Sequence, residues 1–253
     1  MSIETHWTTE LVRLTVFRFP GVDIANAGWW SDVAGGEPED VVSKPRTGIY
    51  RAEGSFGNGQ LVLNIDATRI DWLYAIRQSQ EPGDDNLFPA LGDYREQHDL
   101  FSGAIVPWLA ACPPSIRVAY GTNLLEMVED KSRGYRRLSE FLHSVKLDTE
   151  NSSDFSYQIN RPRPSQVIPE LAINRVSKWS VMRRSIGQLT INPATGVARG
   201  MAAPPYIVDA CRLELDVNTD ASRINELPHG ELPLLFDELQ RLANEIASTG
   251  DVP

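Results

Sequence analysis

GIYRAEGSFGNGQLVLNIDATRIDWLYAI, residues 48–76, places Gly57-Asn58-Gly59 between two runs rich in β-branched and aromatic residues. Asn-Gly in that setting is the strongest short-range hairpin signal, since a type I′ turn needs positive φ at both central residues. The spacing predicts an antiparallel hairpin. Before it, LVRLTVFRF (11–19) reads as a strand, and helical turns are expected around VDIANAGWWSDV (22–33). After it, QSQEPGDDN (78–86) reads as an exposed loop. Phe101, Ile105, Trp108 and Cys112 then recur at helical spacing, with Pro107 expected to kink that helix and Pro113-Pro114 to stop it.

The same grammar returns further on. SIRVAYGTNLLEMV (115–128) reads as a strand, and Tyr135, Leu138, Phe141, Leu142 and Val145 form a helical stripe. FSYQINRP (155–162), LAINRVSKWSVM (171–182), QLTIN (188–192) and YIVDACRLELDVN (206–218) read as strands. In the last of these Ile207, Cys211, Leu213, Leu215 and Val217 share a face that Asp209 interrupts. Leu235, Leu239, Leu242 and Ile246 mark a closing helix, with Gly250 suited to its C-terminal cap. The expected class is α+β: antiparallel sheets with packed helices. The element order suggests two similar strand-helix-hairpin-helix halves, 1–112 and 113–253, the second carrying the basic hairpin and the C-terminal helix. Their residues show no self-similarity, and one continuous domain is the alternative.

The chain has 253 residues, 42% of them hydrophobic, and a formal net charge of −10. No apolar run approaches the roughly 18 residues that cross a bilayer, so no membrane span is expected. The start, MSIETHWTTE, lacks the basic flank and apolar core of a secretory signal, and a cytoplasmic location follows as the expectation. Cys112 and Cys211 sit among apolar neighbours and are expected to be buried thiols, with no disulfide. A pI near 4.9 argues against general nucleic-acid binding by the whole surface.

SIRVAYGTNLLE, YRRLSEFL, CRLELDVNTDA and ELQRLANEIASTG, between residues 115 and 250, together resemble the layout of a sporadically distributed, uncharacterised family of bacterial proteins of about this length. That family has no established activity, so the resemblance implies no catalytic residue. Its patchy distribution implies a setting on mobile elements or in antiviral defence.

No Gly-Lys step exists for a phosphate loop, no Gly-x-Gly-x-x-Gly follows a strand, and no Gly-x-Ser-x-Gly elbow is present. His6, His98, His143 and His229 are scattered singly, unlike zinc ligands. Asp216-Val217-Asn218-Thr219-Asp220 opens like a calcium loop, but Ala221 and Leu227 stand where Gly and a bidentate Glu are required, so a turn cap is the expectation. Glu129-Asp130-Lys131 matches half of a nuclease metal site and equally suits a helix N-terminus. Neither a cofactor, a metal site nor a catalytic residue is expected.

Residues 155–184 hold six Arg/Lys against the single acid Glu170, about +5 in a chain of −10. Alternation along 172–184 puts Asn174, Lys178 and Arg184 on one side and Arg175, Trp179 and Arg183 on the other. Pro162 and Pro164 are expected to lift Arg161 and Arg163 off the sheet, because proline cannot sustain ladder hydrogen bonds. Two readings stand open. These cations pair internally with the acid-rich residues 207–253, or Arg161, Arg163, Asn174, Arg175, Lys178, Trp179, Arg183 and Arg184 form a contact surface for an acidic protein partner or a phosphate backbone. The functional expectation is a non-enzymatic binding component of a larger bacterial assembly; a nucleic-acid-binding subunit is the alternative, and a metal-dependent nuclease the third.

Overall fold

The structure, a computed structural model, describes residues 4–19, 28–77, 87–186, 190–191, 198–199, 206–222 and 225–252. The expected loop 78–86 and residues 22–27 of the expected helical turns lie outside them, as does most of QLTIN.

The first strand, β1 (Thr8–Phe17), leads through α1 (Trp29–Ala34) to β2 (Asp40–Lys44), β3 (Ile49–Phe56), β4 (Gly59–Ile65) and β5 (Arg69–Ala75), then α2 (Tyr94–Leu109). β6 (Arg117–Val128) and α3 (Lys131–Phe141) follow, then β7 (Ser156–Asn160), β8 (Arg163–Pro164), β9 (Ala172–Ile186), the short pair β10 (Thr190–Ile191) and β11 (Ala198–Arg199), β12 (Tyr206–Thr219) and α4 (Leu232–Thr249). Ten strands form one antiparallel sheet in the order β2-β3-β4-β5-β1-β6-β12-β9-β7, with β8 also pairing with β9. The α+β class is as expected.

The hairpin forms, but its turn is one residue earlier than Asn-Gly implies. Phe56 pairs with Gly59, leaving Gly57-Asn58 as the loop, and only Gly57 has positive φ, at 51°. That is the pattern of a II′ turn, with glycine first. Tertiary bonds explain the shift: the Asn58 N–H donates to Tyr74 Oη (3.1 Å) and its amide to the Leu91 carbonyl (2.8 Å).

Strand alternation sorts the sheet into two unlike faces. Val12, Leu14 and Val16 of β1 oppose Tyr74, Trp72 and Ile70 of β5 on one side and Thr122, Tyr120 and Val118 of β6 on the other. Leu213, Leu215 and Val217 continue that face across β12, and all are buried apart from slight exposure at Leu215. The buried residues of α2, α3 and α4, among them Phe101, Ile105, Leu138, Phe141, Leu235 and Leu239, join the same cluster, and Trp30 of α1 packs on Gly54 of β3. The four α-helices of the described residues therefore cover one face. Among the described residues no helix covers the other, and none is long and apolar enough to cross a membrane.

Helix ends follow local chemistry. Asp93 caps α2 by accepting from the N–H groups of Arg95 and Glu96, and Asp130 caps α3 by accepting from Arg133. The acid of Glu129-Asp130-Lys131 is thus a helix cap here. α2 runs through Pro107 and stops at Leu109, ahead of Pro113-Pro114. Gly250 ends α4 with φ 85°, and a Cβ there would lie 2.1 Å from the Phe141 carbonyl oxygen. Glycine is required at that close approach, which lets the next N–H, of Asp251, donate to the same carbonyl at 3.0 Å. Cys112 and Cys211 are free and buried as expected, and burial pushes both thiols up to about 12.

Candidate binding groove on the helix-free face

The eight residues singled out in the basic segment divide between the two faces. Arg175, Trp179 and Arg183 lie on the helix-covered side of β9, and Asn174, Lys178 and Arg184 on the open side. Trp179 is fully buried and stacks on Phe141 with ring centroids 5.3 Å apart, so it presents no aromatic surface.

The expectation that Pro162 and Pro164 lift Arg161 and Arg163 off the sheet is corrected by the geometry: Arg163 and Pro164 form β8, paired with Ile173 and Ala172 of β9, and the Arg161 N–H donates to the Arg175 carbonyl at 3.2 Å. Arg161 grips Asp251 with two guanidinium nitrogens, one contact at 2.8 Å, and Asp251 also accepts from Tyr157 Oη (3.1 Å) and Ser144 Oγ (3.2 Å). Arg163 forms a fork on Glu245 at 2.9 and 2.8 Å. Glu245 lies in the last turns of α4 and Asp251 just beyond its end. Arg175 lies beneath both, 1% exposed, with Glu245 at 3.5 Å and the Val252 carbonyl at 3.5 Å. Burial, then the neighbouring Arg163, lowers the pKa of Arg175 against the pull of Glu245 and Asp251. Arg161 holds Asp251 below the usual carboxylate value, chiefly through its hydrogen bond. Arg183 forks onto Asp209 at 2.8 and 2.7 Å, which explains how Asp209 sits on an apolar face.

The open face holds a groove of about 320 Å³ that crosses five strands: β1, β6, β12, β9 and β7. Its floor is built from cross-strand rows. In one, Arg13 of β1 opposes Gly121 of β6, which opposes Asp216 of β12, which opposes Val176 of β9. In the next, Leu11, Asn123, Glu214, Lys178 and Gln158 follow one another in the same order of strands. Gly121 has no side chain to fill the centre. The Arg13 guanidinium lies over it, with Nη2 3.4 Å from the position a Cβ would take.

Charges in the groove are partly satisfied. Lys178 pairs with Glu214 at 3.0 Å, and Glu214 is 3.7 Å from Arg212, which pairs with Glu10 at 2.9 Å. Asp216 accepts from the Asn218 amide at 2.9 Å, and Asn218 accepts from Asn174 at 3.2 Å. Farther along the same face, outside the groove lining, Arg184 donates to the Leu87 carbonyl (2.7 Å) and lies over the Phe88 ring at 4.7 Å. Phe88 packs there with Leu125 and Ala210. Arg13 is the exception. Among the described residues it makes no hydrogen bond or ion pair, and its Nε is buried without a partner.

Arg13 and Gly121 carried no mark in the sequence. Arg13 occupies an ordinary polar position in the alternation of LVRLTVFRF, and Gly121 an ordinary strand interior; an isolated strand glycine, a sign of close backbone approach, was the one available signal. Asp220 caps a turn by accepting from the Ser222 N–H at 3.0 Å, as the failed calcium pattern led one to expect. Among the described residues no cluster of three or more His, Cys, Asp or Glu is placed to hold a metal ion. Comparison with protein-family models found no matching family, and no curated protein matches this chain.

Proposed function

We propose that this chain works by binding, as one component of a larger assembly, and that it grips a protein partner through the helix-free face of its sheet. Arg13 carries the reading. A half-buried guanidinium with an unpaired Nε, standing over a glycine floor, is a charge without its counterpart. A buried donor left unpaired costs about 1–3 kcal/mol, which a partner carboxylate seated on the guanidinium fork would relieve.

Mixed charge favours a protein over nucleic acid. Glu10, Glu214 and Asp216 line or flank the groove and repel a phosphate backbone, while Leu11 and Val176 offer apolar contact. Lys178, Asn174 and Arg184 of the basic segment stay within this surface. The strand order supports reading the chain as two like halves, because β1 lies beside β5 as β6 lies beside β12, with β4 and β9 next in turn. On that reading the halves join at β1 and β6, and the groove lies at the join and to one side of it.

A photo-crosslinking residue in place of Gln158, in the groove, is compared in native cells with one in place of Arg136 on α3, which is half-exposed on the helical side. The expected product is one protein, identified by its cross-linked peptide, formed from the groove position and reduced about tenfold by Arg13→Glu. Equal products from both positions, or a cross-link to nucleic acid, would sink the proposal.

A further inference from the structure

Among the described residues β2 forms one edge of the sheet and pairs only with β3. All five of its residues, Asp40, Val41, Val42, Ser43 and Lys44, are exposed. Val41 and Val42 are 52% and 47% exposed, and Ile49, opposite Lys44, is 41% exposed. An edge strand presents unpaired N–H and C=O groups along its outer side and is a template for another strand. Large apolar side chains gathered there strengthen the template.

The sequence of this edge is complementary to itself. A two-fold axis through Val42 sets two copies of DVVSK antiparallel, with Asp40 opposite Lys44 at both ends, Val41 opposite Ser43, and Val42 opposite Val42. Opposite charges placed directly across a strand pair favour it, and like charges oppose it. The same register brings Pro45 opposite Glu39, where a missing N–H closes the ladder at each end and limits it to one strand pair. The contact is isologous, so it closes as a dimer.

We propose that β2 is a self-association strand: two copies of this chain join β2 to β2, antiparallel about Val42, and extend the sheet across the pair. This inference is independent of the groove. Both helix-free faces would then continue one into the other.

Sedimentation across a range of concentration tests it. The native chain should show a reversible monomer–dimer equilibrium. Asp40→Lys and Lys44→Asp should each weaken the dimer about tenfold, because each sets like charges together at both ends, and combining the two should restore it. Val42→Lys, with like charges on the axis, should abolish the dimer while the thermal melt, compared at concentrations where the native chain is monomeric, stays unchanged. A monomer at every concentration overturns the proposal. So does a dimer indifferent to the single reversals, or one that the double variant weakens further instead of restoring.

Discussion

Two arginines show how differently the faces of the sheet treat charge. Arg175, on the helix-covered face of β9, is wholly buried; its Nε and Nη2 lack hydrogen bonds, but its charge is met by Glu245 at 3.5 Å and the Val252 carbonyl, with Arg161 and Arg163 taking up Asp251 and Glu245 above it. Arg13, on the open face of β1, has Gly121 beneath it, and no carboxylate of its own chain reaches it among the described residues. Charges under the helices are spent on joining the end of α4 and the residues after it to the sheet. Those on the open face are left, in part, for something else. A cation-rich segment is therefore a weak guide to a binding surface: most of its charge here serves the fold.

The comparison breaks first at the core. Leu239 of α4 is fully buried against the helix-covered face, so Leu239→Ala should cost about 2–5 kcal/mol in chemical denaturation. A cost below about 1 kcal/mol would mean that α4 does not hold that face.

Asp251 comes next. Asp251→Asn removes the charged half of a fork and weakens the bonds from Tyr157 and Ser144, and should cost about 1.5–3 kcal/mol. Because Arg161 lowers the folded pKa of Asp251 below its usual 3.8, its contribution is present above that value and is lost as pH falls through the folded value. The difference between native and variant should therefore be constant near neutrality and shrink in acid below about pH 4. A difference that persists there would show that charge is not what Asp251 contributes.

His98 sharpens the contrast in a separate window. Burial, the largest cause, lowers its pKa from 6.5, opposed by Asp99 and Asp237. The unfolded chain takes up this proton first, so stability should fall as pH drops below 6.5 toward the folded value, and His98→Gln should flatten that slope. Unfolding midpoints measured from neutrality to pH 5 check this.

The smallest effect belongs to the open face. Lys178→Ala breaks a part-exposed pair with Glu214 and should change stability by no more than about 1 kcal/mol. A larger loss would place the groove among the elements that hold the fold.

Much of the fold was legible because it is local. The alternation along 172–184 placed every residue on its proper face, the stripe of α4 is buried as its spacing implied, and the hairpin of residues 49–65 forms. Asp209, which broke the pattern of its strand, is where Arg183 reaches across. The turn slipped by one residue because Tyr74 and Leu91, both distant in sequence, claim Asn58. The candidate site was legible only in part. Lys178, Asn174 and Arg184 were read as one side of a strand, but no sequence feature showed that this side faces away from all four helices.

By itself, then, the sequence determined the elements and their two-sidedness, because side-chain period depends only on neighbours a few residues away. Tertiary structure alone decided the order of ten strands, and with it which polar side was covered. It set Arg161 against Asp251, 90 residues on, and Arg163 against Glu245, 82 on. It also brought Arg13 over Gly121 from separate strands. Those pairings arise from burying one apolar face of the whole sheet beneath four helices at once, a condition no local stretch contains.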